Sequence, residues 1–510
     1  MFGLLSRSIW YDEAITLQSL AAAQFSMPNA GFTSVGALKE AFQGNAHPTK
    51  LIDHYVNADV HPPFYFLIAN ASVSLTGLSL TSARAVSLGL VLAAVFLYAN
   101  MVRRENAGHL PFTLTVFGLS FAVATSAQDA RSYALLVFLV VAAWMVLVET
   151  TRELTKWYRW VADVMLGAIC GCLLLTHYFA IFVVLPIIIL RCIRGPKRQT
   201  TSALLAPLVC TLVFLPWLPT FLTHLTARPE QMLDALDPLA TAKWTAQLLG
   251  GLVWSTSHSA IPEVLNKAGR AAVIGLALIG VASIFLSNNQ TPEQRRVGPL
   301  AVWIPAIGVS LFVAVSIWMD RRFDLLRYLI IFAPFMAYLA ARGALQTGAA
   351  LTALDSPLSN KAPVTVLIFA QLAMLNWGWE ATQNRGGGYF NSIALEITTN
   401  GVSDSLTIVD PGNGRGNLLA AVYVLPPDAP MFVLPPDMGE WQDSAKSLHA
   451  NLNRYQTVLL VYTIDRGRHG KDKSPIYETI NAALQDQGFA MVTAPPAIQG
   501  ALFYAKWVRQ

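Results

Sequence analysis

Charged side chains are scarce in this chain. Asp, Glu, Lys and Arg make up 13% of its 510 residues against 54% hydrophobic, about half the charged share of an ordinary soluble domain. That balance argues against two or three soluble domains and for a membrane class. The net charge of +5 does not describe a nucleic-acid face, because Lys and Arg fall in short clusters between apolar runs. Cysteine is equally sparse. Cys170, Cys172, Cys192 and Cys210 lie in or beside apolar segments, and C-x-C on a spanning helix suits neither a zinc site nor a disulfide framework. No internal repeat of about 20 to 50 residues and no duplicated halves are visible. The opening MFGLLSR is too short for a signal peptide. The Gly412-Asn413-Gly414-Arg415-Gly416 run matches neither G-x-G-x-x-G nor a Walker loop and reads as a tight turn.

Long apolar runs are what the sequence does have. About ten approach the roughly 20 residues needed to cross a bilayer: 85–102, 110–127, 132–148, 160–176, 178–191, 202–222, 271–287, 298–318, 325–341 and 363–379. A single helix over 160–191 would be about 48 Å long, so a hairpin turning at His177-Tyr178 is expected instead. With the first loop placed outside, one set of alternate loops carries Arg103 and Arg104, then Arg152, Lys156 and Arg159, then Arg191 to Arg198, then Arg295 and Arg296, then Arg342 and Lys361. That is the positive-inside pattern. The opposite loops collect Asp129 and Arg131, His177, a long segment 223–270, and Asp320-Arg321-Arg322-Phe323-Asp324 with Arg327.

Three domains follow: a first extracytoplasmic loop over 1–84, a transmembrane helical domain over 85–380, and an extracytoplasmic α/β domain over 381–510. Residues 14–58 read as loop with short surface helices, and 64–80, after two prolines, as an interfacial helix. In the last domain Leu406–Val409, Met431–Leu434, Val458–Tyr462 and Leu502–Ala505 read as strands, and Ser474–Gln487 as a helix stopped by Gly488.

Ionisable groups between spanning segments are expensive and usually functional. Trp10-Tyr11-Asp12-Glu13 and Asp59-Val60-His61-Pro62-Pro63 are such groups, and adjacent Asp12 and Glu13 cannot both address one point on a regular backbone. These stretches, WYDEA and DVHPPFYF, resemble the first extracytoplasmic loop of the GT-C superfamily, integral membrane glycosyltransferases of the protein mannosyltransferase and aminoarabinose transferase type. Asp129-Ala130-Arg131-Ser132-Tyr133 is similar to the family's acidic-x-Arg-x-Tyr segment, His177-Tyr178 to its hairpin pair, and Arg327-Tyr328 to an Arg-Tyr at the start of a late helix. The likeness extends to about residue 345. It departs in a first loop lengthened around Lys39–Asn57 and in lacking a first helix before Asp12, which leads us to expect a further apolar helix upstream of Met1.

The resemblance implies a polytopic α-helical membrane protein of GT-C type with a small C-terminal α/β extracytoplasmic domain. It implies transfer, with inversion, of a sugar from a polyprenyl-phosphate-linked donor to a glycan, lipid or protein acceptor at the outer face of the cytoplasmic membrane. Asp12 is the implied catalytic base, with Glu13 and Asp129 as further acids. His61, Arg131, Tyr133, His177, Tyr178, Arg321, Arg322, Arg327 and Tyr328 are the implied substrate-binding set, since guanidinium groups grip phosphate bidentately. No cofactor is required on this reading, although Asp12, Glu13, Asp59, His61 and Asp129 include ligand types that can gather round a divalent metal. Two rivals stand beside it: a transporter or flippase of lipid-linked envelope precursors, and a catalytically dead scaffold. Transporters commonly show repeated halves and midplane binding groups, which this sequence lacks.

Overall fold

The computed structural model describes residues 9–21, 28–57, 59–152, 155–194, 203–226, 233–234, 237–254, 263–288, 290–319, 321–322, 326–353, 361–383, 388–409, 416–435, 441–463, 475–493 and 502–510. The chain forms two compact units, one of residues 1–51, 69–83 and 382–510, the other of residues 52–68 and 84–381. Gly412–Arg415, Asp320, Phe323 and Asp324 lie outside the described residues.

The second unit is helical. Among the described residues seven helices are long and apolar enough to cross a membrane, including Leu80–Glu105, Tyr133–Thr150, Glu263–Leu286 and Pro292–Trp318. Three of the expected runs, 110–127, 178–191 and 363–379, correspond to shorter apolar helices, and the first of them is broken at Ser120 between Leu110–Leu119 and Phe121–Ser126. The turn at His177-Tyr178 is present: the Lys156–Leu174 helix ends, His177 is extended, and the next helix begins at Ile181. Two helices approach closely at a pair of glycines. A Cβ on Gly280 would collide with the Leu339 carbonyl, and one on Gly343 with the Leu276 carbonyl, the small-residue contact that lets membrane helices pack through their backbones.

Several arginines counted as loop charges lie within helices, Arg191 and Arg342 among them. Arg191 is fully buried in the Ile181–Arg194 helix and grips Asp163 bidentately, Nε–Oδ1 2.6 Å and Nη2–Oδ2 2.8 Å. Arg342 lies inside the Ala333–Ala353 helix and donates to Glu105 at 2.6 Å. Each charge is tolerated in an apolar bundle because an acid on a neighbouring helix pairs with it. The Pro238–Val253 helix falls in the segment read as a long loop, started by Asp237, which accepts from the Leu239 and Ala240 amides at 3.0 Å.

The first unit is built on a six-stranded sheet. Its strands are β1 (Gly31–Ser34), β4 (Ser405–Val409), β5 (Pro430–Val433), β6 (Thr457–Thr463), β7 (Phe489–Thr493) and β8 (Leu502–Arg509), in the order β1-β5-β4-β6-β8-β7. The short strands β2 (Leu233–Asp234) and β3 (Arg321–Arg322) pair with each other in the helical unit. β4 runs parallel to both β5 and β6, and all five of its residues are buried, as a central strand covered on both faces requires. Leu406, Ile408, Phe432, Val458, Leu460, Leu484 and Trp507 form the core of one face. Gly488 takes φ +77° just after the Pro475–Asp486 helix, the left-handed stop that glycine permits. β1 corrects the reading of 14–58 as loop. Gly31 to Ser34 pair antiparallel with Val433 to Pro430, so a strand of the first loop completes the C-terminal sheet.

Candidate functional site

Asp59 and His61 are joined by one tight turn. Asp59 Oδ1 accepts from the His61 backbone N–H at 3.1 Å and lies 2.6 Å from His61 Nδ1, an Asx-type closure two residues long. Pro62 and Pro63 follow, and the Phe64–Thr76 helix begins with the Phe64 amide bonded to the Leu175 carbonyl at 3.1 Å. Prolines lack a donor that a helix start would leave idle, so they suit this place.

Arg131 determines how His61 is protonated. Its Nη2 lies 3.2 Å from His61 Nε2, and a guanidinium can only donate. Nε2 therefore accepts, the ring proton sits on Nδ1, and that proton is donated to Asp59. Burial by itself works against ionisation of Asp59, but the His61 ring, its hydrogen bonds and the Arg131 charge outweigh it and hold the carboxyl well below the usual range. Arg131 is buried, with its guanidinium 5.8 Å from the Phe66 ring.

His177 is the hub of the ring contacts. Its centroid lies 6.2 Å from His61, 6.3 Å from Tyr133 and 6.3 Å from Tyr328. Tyr328 in turn stacks on Phe179 at 4.5 Å, with Arg327 5.8 Å from the Tyr328 ring. His177 Nδ1 accepts from the Phe179 amide at 3.2 Å, which leaves the proton on Nε2. Burial, then the nearby His61, Arg327 and Arg131, push its pKa well below the ordinary value, so His177 is a neutral donor. Tyr178, in the same turn, contacts His224 and Trp217.

These groups occupy one end of the helical unit. The Tyr133–Thr150 helix starts among them and, after about 27 Å at 1.5 Å per residue, ends where Glu149 pairs with Arg104 and Arg152, and Arg152 with Glu293. The two ends of the bundle thus have different chemistry: aromatic, histidine and arginine groups at one, an ion-pair network at the other.

The expected site residues divide between the units. His61, Arg131, Tyr133, His177, Tyr178, Arg327 and Tyr328 are brought together as described. Asp129 is buried beside them in sequence, its carbonyl accepting from the Arg131 amide at 2.8 Å. The side chains of Arg321 and Arg322 lie outside the described residues. Asp12 and Glu13 belong to the sheet-containing unit, in the first turn of the Tyr11–Leu20 helix. Glu13 is fully buried and its carboxylate accepts from the Trp10 amide at 3.1 Å, capping that helix. Asp12 is buried too. This helix packs on Gly416–Val424 of the C-terminal sheet domain. Among the described residues no group of three or more His, Cys, Asp or Glu is placed to hold a metal ion.

Sequence reasoning missed Trp217 and His224, and weighed Asp59 only as a metal ligand. The Asp-x-His spacing carried the signal for Asp59, since two residues is the reach of an Asx turn. Nothing in the local sequence marks Trp217 or His224, whose partner Tyr178 lies about forty residues earlier.

No protein-family profile and no curated protein sequence matches the chain. Solved structures do. ArnT from Cupriavidus metallidurans in the apo state aligns over 96% of this chain and 95% of that one, at 13% identity and TM-score 0.51. The same protein bound to undecaprenyl phosphate aligns over 99% and 95%, at 12% identity and TM-score 0.52. An oligosaccharyltransferase from Archaeoglobus fulgidus, in complex with Zn and sulfate, aligns over 98% of this chain and 69% of that one, at 12% identity and TM-score 0.46. At such identities the likeness to ArnT is one of architecture, and it runs the whole length, from the first loop through the apolar helices to the C-terminal sheet. The chain is a polytopic α-helical membrane protein that shares its fold with ArnT.

Proposed function

We propose that this protein transfers a sugar from a polyprenyl-phosphate-linked donor to a glycan, lipid or protein acceptor. The observation that carries the reading is the placing of the Arg131 and Arg327 charges beside His61 and a neutral His177 at one end of a GT-C bundle. Two guanidinium groups suit a phosphate that gains negative charge as the bond to the sugar breaks. ArnT, with the same architecture, has been crystallised with undecaprenyl phosphate, which supports a carrier of that class.

In the proposed step the acceptor oxygen attacks the anomeric carbon as the bond from that carbon to the phosphate oxygen breaks. The acceptor proton passes to Asp12, and the polyprenyl phosphate leaves with the bonding pair, inverting the centre. The helix cap made by Glu13 favours Asp12 over Glu13 as base, and Asp129 is the second acid of the site. Arg131 and Arg327 hold the phosphate, His61 fixes the Arg131 guanidinium, His177 orients the phosphate, and Tyr133, Tyr178 and Tyr328 line the sugar. No metal is assigned a step.

The pairing of β1 in the first loop with β5 of the C-terminal sheet supports a reading in which both lie on one side of the membrane. We place that side outward, in the periplasm or outside the cell, on the basic residues of the alternate loops. Native mass spectrometry of the purified protein with undecaprenyl phosphate tests the reading. One retained carrier per chain is expected; no retention above that of an unrelated polytopic protein contradicts it.

A further inference from the structure

A chain of hydrogen bonds runs from Trp217 to the backbone just before Asp59. Trp217 Nε1 lies 2.9 Å from the Tyr178 hydroxyl oxygen, that hydroxyl 2.8 Å from His224 Nδ1, and His224 Nε2 3.4 Å from the Val56 carbonyl. Its direction is fixed by its ends. An indole N–H can only donate and a carbonyl can only accept, so each group between must pass the polarity on. Trp217 therefore donates to Tyr178, the Tyr178 hydroxyl donates to Nδ1 of His224, and Nε2–H of His224 donates to Val56.

We infer that His224 is a positioning residue for the Asp59–His61 turn, acting through Tyr178 on one side and the Val56 carbonyl on the other. Val56 lies near the end of the Pro48–Asn57 helix, three residues before Asp59. The turn is otherwise held by Arg131 at His61 and by the Leu175 carbonyl at Phe64, both beyond Asp59 in the chain. His224 supplies the hold on the preceding side. Trp217 is buried and anchors the relay, and Tyr178 stands in the field of Asp59. The relay also links the turn to the same 175–179 segment that bears His177, so the two histidines keep a common frame. The inference rests on the proposed function only for its consequence in catalysis, because the hold on the turn is a property of the free protein.

The test uses the full-length protein in detergent, comparing His224→Phe, Tyr178→Phe and His224→Gln with the unmodified chain. Hydrogen exchange is read by mass spectrometry on peptides spanning 56–66. His224→Phe removes both ring nitrogens and should speed exchange in this segment about fivefold to tenfold, the effect of one lost hydrogen bond, while the same protein's other helices exchange as before. Tyr178→Phe should do likewise. His224→Gln keeps an acceptor and a donor and should restore slow exchange. In parallel, the KM for a polyprenyl-phosphate sugar should rise about as much in His224→Phe with kcat little changed, and Gln should rescue it. Unchanged exchange over 56–66 in folded His224→Phe, or failure of Gln to restore it, overturns the inference. If the unmodified protein neither binds nor uses the carrier, the proposed function fails, and the exchange data still decide whether His224 holds the turn.

Discussion

Arg131 donates to His61 Nε2 at 3.2 Å, and that contact forces the His61 proton onto Nδ1, where Asp59 Oδ1 lies 2.6 Å away. One buried guanidinium thereby sets a histidine tautomer and helps keep a buried carboxylate ionised. An ammonium is a point charge without the planar fork, so it cannot hold His61 and present a second donor edge to phosphate. Arg131→Lys should weaken undecaprenyl phosphate binding about tenfold or more, the value of one charge-assisted hydrogen bond. Titration of carrier into each purified protein checks this, and equal affinities would remove Arg131 from the phosphate site.

His177 makes stability depend on pH in a defined direction. Its folded pKa lies well below the ordinary histidine value, so below about pH 6.5 the unfolded chain binds a proton that the folded chain refuses. Stability should fall as pH drops through that value, by up to about 1.4 kcal/mol per pH unit for one group. Asp59 acts in a lower window: its depressed carboxyl pKa adds stability above about pH 4 and loses it as pH falls further. Thermal unfolding at pH 7.5 and 5.5 should show a smaller drop for His177→Gln than for the unmodified protein.

Asp163 and Arg191 form a buried bidentate pair with 0% and 1% side-chain exposure, and removing one partner strands the other in an apolar hairpin. Arg191→Met alone should cost roughly 3–5 kcal/mol, whereas Arg191→Met with Asp163→Leu should recover most of that loss. Melting temperatures of the two variants in one detergent compare them directly. A double variant no more stable than the single would show that the pair does more than satisfy itself.

Much of this was legible in the sequence, for reasons that also explain what was not. β4, β5 and β6 announced themselves because Leu406, Ile408, Phe432, Val458 and Leu460 are apolar residues in short runs bounded by turn formers. β1 did not, because Gly31-Phe32-Thr33-Ser34 has little strand character of its own and is a strand only through β5, some four hundred residues later. The His177 turn followed from bilayer thickness alone. The Pro238–Val253 helix was hidden by Thr241, Lys243, Gln247 and two glycines, which dilute its hydropathy. Arg191 and Arg342 were read as loop charges since a sequence does not show which acid faces them. In the candidate site, resemblance to family motifs singled out His61, Arg131 and His177 as candidates, while the tautomers and the His224 relay depend on contacts between distant segments.

Because β1 ties the first loop to the C-terminal sheet, the chain's end and Asp12 should share a side of the membrane, and our reading makes that side external. A reporter active only in the cytoplasm, fused after Gln510, should give no signal. A strong signal would place the sheet and the first loop inside and reverse the orientation.

The central claim is that Asp12 serves sugar transfer from a polyprenyl-phosphate donor. Asp12→Asn preserves shape and removes the carboxylate charge, so the variant should fold and insert as before. The decisive measurement follows labelled sugar leaving a polyprenyl-phosphate donor in membranes that contain the native acceptors. The unmodified protein should move label out of the carrier fraction, and Asp12→Asn should do so at least about 100-fold more slowly, the lower bound for losing a general base. Transfer by Asp12→Asn at the unmodified rate, or no carrier-dependent transfer by the unmodified protein, would contradict the account.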